Sequence, residues 1–535
     1  MEYGNSARRA SAGTVPDAIG TAVDVDNRTV GVAWRPNGAT WLLAAILSAI
    51  AAFPLQDTLT RFPRGLLADD AYFYVKTAWN LGMHGASTFD GIHLTDGYHP
   101  GWQAVLAAVS CVAGWFSTNP AVHLGAMLWL YFMMCWAIAF IFGRSRVDAL
   151  LLFSVGLIFK VLMETTLLSL VLLALYANVY LSPTPSASSH SADRWRARPW
   201  LLMLIPLIRI DAALIGVLMV LSSLFQRRTV GDGSSVSLRT RAVAADFAWL
   251  GIGVALQLAW RLWFFGQWTS VSMQIKSSPS SLAQRLQNNL IGLYGSNLVS
   301  TLIVLFLFAL AIWAAVQRDA RDRARDLLAL SAPAVFVVVH LAVNNQIAYW
   351  YFLPAAYVHV WYFLRFRPRA SSFFAATGRA AIALLPLLFV AKWVVDSRIR
   401  AEQIDWSRQF VRELQRVVPE NEPVFQIDAS GWVGWFSRRH VIDGDGLVND
   451  HAYARRLRDN QLSGHLHEEH VQYIVQNLYP RDNVLIDLAG LRVPMASVDV
   501  VIPPPANFPD GTAFGLYRLK TLRESPRVPG IAGIR

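Results

Sequence analysis

Two adjacent carboxylates, Asp69 and Asp70, stand immediately before a stretch whose apolar spacing predicts an amphipathic helix over 71–81. Aspartate is a preferred residue at a helix N-terminus, where it accepts hydrogen bonds from unpaired backbone N–H groups and suits the helix dipole. One aspartate is enough for that role. A second one beside an apolar segment indicates acid–base chemistry or metal binding, and repulsion between two like charges would raise the pKa of one of them. Either aspartate is a candidate general base.

Cationic side chains that could face a phosphate follow later in the chain: Arg209, Arg261 and Lys276. An arginine grips a phosphate through parallel N–H bonds, and a lysine acts as a point charge. Arg209 has an alternative use, because it could form a buried ion pair with Asp211. Arg261 could instead extend its charge to the membrane surface, and Lys276 could be an ordinary loop lysine. Charges inside apolar segments are costly and usually functional, so Arg209 and Asp211 remain candidates.

Glu164 and His99 are two further polar residues at the borders of apolar runs. Glu164 begins a predicted helix one turn after Lys160, so an i,i+4 ion pair would explain it as well as a site role does. His99, which follows Tyr98 and precedes Pro100, is typical of the turn that starts a helix, with a polar group facing the site. The residues alone leave both alternatives open.

Histidines and aromatic residues complete the set of candidates. His84, His93 and His99 share a polar loop with the two aspartates, and together they could bind a divalent cation. Their spacing matches no strict metal motif. Trp350, flanked by two tyrosines, suits either sugar stacking or the aromatic belt at a membrane surface, and the belt is the commoner explanation.

The segments that carry these residues are mainly apolar. Of the 535 residues, 54% are hydrophobic and 16% are charged, whereas a soluble protein has about 25% charged residues. This composition excludes a disordered or collagen-like chain and indicates lipid as the main solvent. The net charge of +11 would suit nucleic acid, but the arginines fall in clusters between apolar runs, as in the cytoplasmic loops of membrane proteins. We therefore expect membrane lipid as a partner and no nucleic acid.

Apolar runs close to the length of about 20 residues that a membrane helix needs recur along the first three quarters of the chain. They cover 39–55, 121–142, 147–160, 164–182, 199–225, 242–264, 297–316, 327–343, 351–364 and 377–395. If the arginine clusters lie on the cytoplasmic side of the membrane, residues 56–100 and everything after 396 lie on the outer side. This arrangement requires that 199–225 enters and leaves the membrane on the same face. The segment 101–116 would then begin and end outside, so it is re-entrant or interfacial, or one arginine cluster is misplaced. We expect roughly ten to twelve crossings.

The chain becomes soluble in character near residue 397. Trp406, Phe410 and Leu414 recur at helical spacing, 423–428 is typical of a strand, and another helix is expected near 450–459. These elements predict a small α/β domain. The expected division is a flexible cytoplasmic tail at 1–38, a transmembrane domain at 39–396 with a first loop at 56–100, and a soluble extracytoplasmic domain at 397–535.

The first loop, with the sequence DDAYFYVKTAWNLGMHGASTFDGIHLTDGYHP at 69–100, resembles the first periplasmic loop of bacterial integral-membrane glycosyltransferases of the GT-C superfamily. The resemblance extends to Met163-Glu164-Thr165, to Arg209-Ile210-Asp211 and to the run from Phe264 to Lys276. Later, GWVGWFSRRHVIDGDGLVND at 431–450 is similar to the family's Gly-Tyr-Phe-Ser and Asp-Gly-Leu-Val-Asn signature. The chain departs from the family at Leu162, Ile210 and Gly444, where relatives have Gly, Pro and Leu.

This resemblance implies an α-helical polytopic membrane protein of GT-C type with a small C-terminal α/β extracytoplasmic domain. It implies an inverting hexosyl- or pentosyltransferase, similar to the arabinofuranosyl- and mannosyltransferases of the cell envelope. The enzyme would lie in the plasma (inner) membrane with its catalytic loop periplasmic or extracellular. Its donor would be a polyprenyl-phosphate-linked sugar, and its acceptor a glycan, lipid or protein.

The resemblance also assigns roles to the candidate residues. The implied catalytic residues are Asp69, Asp70 and Glu164, and the implied substrate-binding residues are Lys276, Arg209, Asp211, His99, Tyr98 and Trp350. A divalent cation, Mg or Mn, is an open addition, with Asp69, Asp70 or His99 as its candidate ligands.

Two other functional classes compete with this interpretation. A polytopic transporter of an envelope precursor would also use intramembrane charges such as Arg209 and Asp211 beside a helix broken at Pro206. The sequence shows no pseudo-symmetric halves, and the large C-terminal domain is unusual for a transporter. A non-catalytic envelope scaffold is the third class, and the paired aspartates together with Lys276 argue against it.

Overall fold

The computed structural model describes residues 35–61, 67–158, 162–181, 191–225, 236–276, 281–294, 298–343, 348–366, 376–378, 380, 382–384, 387, 401–476, 484–504 and 514–520. Three sequence-based predictions fall largely or wholly outside these residues. They are the flexible tail at 1–38, the last apolar run at 377–395, and the pairing of Lys160 with Glu164.

Helices make up the N-terminal part of the described chain. Their bounds are α1 Gly38–Arg61, α2 Asp69–His84, α3 Pro100–Gly114, α4 Pro120–Phe142, α5 Arg146–Ile158, α6 Thr165–Leu181, α7 Ser191–Ile208, α8 Ala213–Ser222, α9 Val236–Phe265, α10 Val271–Lys276, α11 Leu282–Tyr294, α12 Leu298–Val316, α13 Ala320–Val343 and α14 Leu353–Phe366. The predicted break inside 199–225 is present: α7 ends at Ile208, Arg209 is extended, and a 3-10 turn at Ile210–Ala212 leads into α8.

Three of the described helices are long and apolar enough to cross a membrane: Pro120–Phe142, Thr240–Phe265 and Asp322–Val343. Several shorter apolar helices of 10–17 residues accompany them. Large apolar side chains on these helices face away from the protein, as at Trp263, which is 83% exposed, and such a surface is typical of contact with lipid or with another protein. The number of crossings stays a prediction. The 15 residues of α3 span about 22 Å, which is shorter than the hydrocarbon core of about 30 Å.

The C-terminal part is a small α/β domain, as predicted. Its elements are α15 Ala401–Val417, β1 Val424–Gln426, α16 Ser430–Ser437, β2 Val441–Asp443, α17 His451–Arg458, α18 Leu462–Glu468, β3 Tyr473–Gln476, β4 Val484–Leu488, β5 Leu491–Pro494, β6 Val498–Ile502 and β7 Gly515–Leu519. A five-stranded sheet has the order β2-β1-β3-β7-β6, with β1 parallel to β2 and β3 and with β7 antiparallel to β3 and β6. The β4–β5 hairpin forms a separate two-stranded sheet.

The C-terminal domain and the first loop share one hydrophobic core. Tyr72 of α2 and Trp102 of α3 belong to the same buried cluster as Phe410 of α15 and Trp432 of α16. The backbones also approach closely, because a Cβ atom at Gly97 would lie 1.7 Å from the carbonyl oxygen of Leu447. Only glycine fits at that position. The domain is therefore built onto the first loop, which places its residues beside the two aspartates.

Candidate active site

A cavity of about 50 Å³ lies where α2, the end of the first loop, α10 and the C-terminal domain meet. Its wall includes most of the predicted site residues: Asp70, Glu164, Lys276, His99, Tyr98 and Trp350. Phe73, Met163 and Leu447 supply apolar surface. Asp69, Arg209 and Asp211 are not part of this wall, and each is engaged elsewhere.

Asp69 is bonded to a helix of the C-terminal domain. Its Oδ2 accepts a hydrogen bond from the backbone N–H of Gly431 at 3.0 Å, and its Oδ1 accepts one from Trp432 at 2.9 Å. These N–H groups are in the first turn of α16, where a helix has no internal acceptors for them. One aspartate of the pair was expected to act as a helix cap, and Asp69 caps α16 of the C-terminal domain. Asp70 is the member of the pair that faces the cavity.

Asp70 and Lys276 place opposite charges in the wall of the same cavity. Burial raises the pKa of the Asp70 carboxyl above its ordinary value; Lys276 opposes this rise and Asp428 adds to it. Burial alone lowers the pKa of the Lys276 ammonium, but Tyr351 and Asp70 outweigh burial and the net shift is upward. A carboxylate with a raised pKa accepts a proton more readily near neutral pH, and a lysine with a raised pKa keeps its charge.

Arg209 is held by two carboxylates behind the cavity. Its Nε and Nη2 donate to Asp211 at 2.8 and 3.0 Å, and its Nη1 donates to Oε1 of Glu164. The guanidinium also lies 4.1 Å from the centre of the Tyr351 ring, and His340 Nε2 is 2.9 Å from the Asp211 carboxylate. The predicted buried pair of Arg209 with Asp211 is present. The two carboxylates balance the charge of this guanidinium, and its contact with a phosphate stays a prediction.

Glu164 connects the Arg209 cluster to the cavity. Its carboxylate is 1% exposed, and Oε2 has no hydrogen-bond partner among the described residues. His99 Nε2 lies 3.7 Å from Oε1 of Glu164. Burial lowers the pKa of His99 well below its ordinary value, and the nearby charge of Arg209 lowers it further, so His99 is neutral at pH 7. An unsatisfied carboxylate oxygen in the wall of a cavity is suited to accept a substrate hydroxyl.

Asp96 was not among the residues singled out in the sequence, yet it fixes α10. Its carboxylate is fully buried, accepts a hydrogen bond from Arg261, and accepts another from the N–H of Val271 at 2.9 Å. His451 Nε2 of the C-terminal domain lies 3.1 Å from it. Arg261 is therefore bound to Asp96, and its contact with a phosphate stays a prediction. Because Val271 begins α10 and Lys276 ends it, Asp96 positions Lys276.

Tyr98 and Trp350 contribute surface rather than a reacting group. The Tyr98 hydroxyl is engaged with Ser87 Oγ at 2.5 Å. Trp350 is partly buried in the wall. An aromatic wall is suited to stacking against the apolar face of a sugar ring.

Two aspartates of the C-terminal domain, Asp443 and Asp445, interact electrostatically with the aspartates of α2. Burial raises the pKa of Asp443 to about 6, and burial together with Asp443 and Asp428 raises that of Asp445 to about 9. The Asp443 carboxylate accepts hydrogen bonds from Ser430 Oγ at 2.7 Å and from the Val448 N–H at 3.1 Å. Burial and the neighbouring carboxylates thus favour the protonated form of this pair. The sequence motif contained these residues but gave no sign that they approach the first loop.

The sequence left open a divalent cation at Asp69, Asp70 or His99. Asp69 is bonded to two backbone N–H groups, and Asp70 shares its cavity with the ammonium of Lys276. Across the described ranges, the cluster of three potential metal ligands with suitable spacing lies outside this cavity. The ammonium of Lys276 beside Asp70 suits acid–base and electrostatic chemistry, and a divalent cation at these residues stays a prediction.

Comparisons with known proteins give one family model and several solved structures. Residues 397–516 match a family described as "Domain of unknown function (DUF8728)". No curated protein matches the chain. The Archaeoglobus fulgidus oligosaccharyltransferase in the apo form is similar, with 13% identity, 82% of this chain and 70% of that chain covered, and a TM-score of 0.44.

ArnT from Cupriavidus metallidurans is similar over more of its length. The structure bound to undecaprenyl phosphate has 12% identity, covers 92% of this chain and 100% of that chain, and has a TM-score of 0.47. The apo structure has 12% identity and a TM-score of 0.46, and the match covers 91% of this chain and 99% of that chain. At these identities and TM-scores, the function of this chain has to be inferred from the site itself.

Proposed function

We propose that this protein is an integral-membrane glycosyltransferase of GT-C type, which transfers a sugar from a polyprenyl-phosphate donor to a hydroxyl of a cell-envelope glycan, lipid or protein. The observation that carries the proposal is the shared cavity of Asp70 and Lys276. A carboxylate with a raised pKa and a fixed ammonium are the two groups that such a transfer needs. The location beside apolar helices suits a donor whose lipid stays in the membrane.

Asp70 is the proposed general base. It removes the proton from the acceptor hydroxyl as the acceptor oxygen attacks the anomeric carbon of the donor sugar. The bond between that carbon and the phosphate oxygen breaks, and the electron pair leaves with the lipid phosphate. The transferred proton ends on Asp70, whose pKa is already raised by burial. Attack from the face opposite the phosphate inverts the anomeric configuration.

Lys276 is the proposed partner of the phosphate. The leaving group gains negative charge as the bond breaks, and a fixed cation in a partly dry site stabilises that charge strongly. Asp96 holds the N-terminus of α10 and therefore fixes where the ammonium stands. The Arg209 cluster behind the cavity does not reach the phosphate directly. It orients the Glu164 carboxylate, whose free oxygen is the proposed acceptor for a sugar hydroxyl.

The apolar part of the cavity wall limits the access of water to the charged residues. Phe73, Met163 and Leu447 surround the charged residues, and the C-terminal domain closes one side of the cavity. Excluding water favours transfer over hydrolysis of the donor. We further propose that the cavity faces the periplasm or cell exterior in the plasma (inner) membrane, because the arginine-rich loops then lie inside.

The decisive experiment uses purified full-length protein in liposomes with radiolabelled polyprenyl-phosphate pentoses and hexoses and a mixture of envelope glycan, lipid and peptide acceptors. A labelled product formed by wild type, and lost in Asp70→Asn although the donor still binds, supports the proposal.

A transporter is the second candidate, and the extended break between α7 and α8 beside Arg209 and Asp211 favours it. Movement of labelled donor across the bilayer without transfer of the sugar, unaffected by Asp70→Asn, would replace the glycosyltransferase with a transporter.

A further inference from the structure

Three potential metal ligands meet between the first loop and the C-terminal domain, away from the catalytic cavity. They are His93 of the loop after α2, His465 of α18 and Glu469, the residue after that helix. One ligand atom of each lies within 4.8 Å of the other two. The three side chains are partly or fully buried. Their meeting joins parts of the chain that are far apart in sequence.

The spacing in this cluster fits a tetrahedral ion. His93 Nε2 is 3.3 Å from Glu469 Oε1. Two ligands about 2.0–2.1 Å from a tetrahedral zinc ion lie about 3.3–3.4 Å from each other. A good N–H···O hydrogen bond is shorter, at about 2.7–3.2 Å. The separation therefore suits two ligands of one ion better than a direct hydrogen bond.

The surroundings of the two histidines also point to a ligand. His93 Nδ1 is 2.6 Å from Asp90 Oδ2, which leaves Nε2 free to face the cluster. A carboxylate behind a histidine is the usual arrangement in zinc sites, where it fixes the ring and raises its basicity. His465 is 4% exposed, and its Nε2 is buried without a hydrogen-bond partner within the described chain. A bound cation would satisfy that nitrogen.

We propose that His93, His465 and Glu469 bind one zinc ion, with water in the fourth position. Two imidazoles and one carboxylate suit zinc, whereas Mg and Ca prefer oxygen ligands throughout. The alternative to a metal site is a protonated His93 that forms ion pairs with both Asp90 and Glu469. That arrangement leaves the buried nitrogen of His465 unexplained.

The ion has a structural role. His93 lies three residues before Asp96, which fixes α10, and six before His99, which lines the cavity. His465 and Glu469 belong to the domain that supplies Leu447 to the cavity wall. Zinc therefore fastens the loop to the domain, and its removal should loosen the cavity without removing a reacting group.

The test measures zinc in full-length protein purified in detergent. The metal is stripped with a chelator and titrated back while bound zinc and Tm are followed. We expect one zinc ion per chain and a higher Tm in its presence. His465→Ala and Glu469→Gln should abolish stoichiometric uptake, and Asp90→Asn should weaken binding about 10–100-fold. His467→Ala, at an exposed position two residues from His465, is the matched control and should bind zinc like wild type.

Two results would overturn the site: no zinc uptake by wild type, or wild-type affinity in Glu469→Gln. The Glu469 side chain is 26% exposed, so its replacement by glutamine tests the ligand set even where His465→Ala does not fold. Cobalt substitution gives an independent readout, because a tetrahedral cobalt spectrum in wild type and its loss in Glu469→Gln would identify the same ligands.

Discussion

Asp69 Oδ1 accepts a hydrogen bond of 2.9 Å from the backbone N–H of Trp432, 363 residues further along the chain. A carboxylate next to the cavity lined by Asp70 thus satisfies the N-terminus of a helix in another domain. The doubled aspartate has two separate functions. Asp69 holds the C-terminal domain on the first loop, and Asp70 is left to face the cavity.

Replacements of the two aspartates should have different effects. Asp70→Asn should slow transfer by about two to four orders of magnitude because the base is lost, with little loss of Tm because a buried carboxylate of raised pKa is removed. Asp69→Ala should cost about 0.5–2 kcal/mol of stability through the lost cap. Transfer rates at equal amounts of folded protein, together with thermal unfolding, measure both. Full activity in Asp70→Asn would exclude it as the base.

Neutralising Lys276 should weaken binding of the donor. Lys276→Gln removes the cation expected to face the phosphate, whereas Lys276→Arg keeps the charge and should retain part of the affinity. Lys520→Gln, at a half-exposed lysine of the C-terminal domain, is the control and should bind donor like wild type. Equilibrium binding of the donor to these variants measures whether Lys276 contributes to donor affinity. Equal affinity in wild type and Lys276→Gln would remove Lys276 from the site.

Arg209 should behave as a positioning residue that is coupled to Glu164. Arg209→Met leaves two carboxylates without their cation and should cost about 3–5 kcal/mol of stability. Adding Asp211→Leu alone should not restore the protein, because Glu164 is still unpaired. Adding Glu164→Gln as well should recover much of the Tm. Thermal unfolding of the single, double and triple variants measures these Tm values. Full recovery of Tm in the double variant would show that Glu164 is not coupled to Arg209.

Asp445 should make the protein less stable as the pH rises. Its pKa is raised from an ordinary value of 3.8 to about 9 by burial and by Asp443 and Asp428. The folded state keeps a proton that the unfolded state releases, so this contribution is full below about pH 4 and is lost as the pH rises towards 9. Asp445→Asn should therefore gain Tm relative to wild type across that window. A Tm difference independent of pH would contradict the raised pKa.

The orientation of the chain can be tested by labelling single cysteines with a membrane-impermeant maleimide in intact cells. In a background lacking Cys111 and Cys135, Glu420→Cys should be modified, because its side chain is 87% exposed on the domain predicted to lie outside. Ala320→Cys, exposed at the start of α13, should be protected. Labelling after permeabilisation controls for reactivity. The reverse pattern would invert the topology.

Local sequence patterns predicted the local structure well. The helical spacing of Trp406, Phe410 and Leu414 corresponds to α15, and the broken run around Arg209 corresponds to the gap between α7 and α8. The bond of Arg209 with Asp211 could be predicted because the partners are two residues apart. In each of these cases the deciding interaction lies within one or two turns of chain.

The partners that shape the site could not be predicted in the same way. Asp96 and Arg261 are 165 residues apart, and Asp69 and Trp432 are 363 apart. No periodicity or spacing encodes such pairs, because they depend on how the helices pack in space. The partners of Arg261 and Asp69 could therefore not be predicted from the sequence, while residue type alone was enough to place Asp70 and Lys276 among the candidates.

Two residues of the C-terminal domain are synthesised long after Asp69 and Asp70. They are Leu447, which closes one side of the cavity, and Trp432, whose backbone N–H donates to Asp69. A nascent chain that has made only its helices therefore has Asp70 and Lys276 but no closed cavity around them. On the proposed function, transfer can begin only when the last quarter of the polypeptide has docked, so an unfinished chain would not hydrolyse the donor.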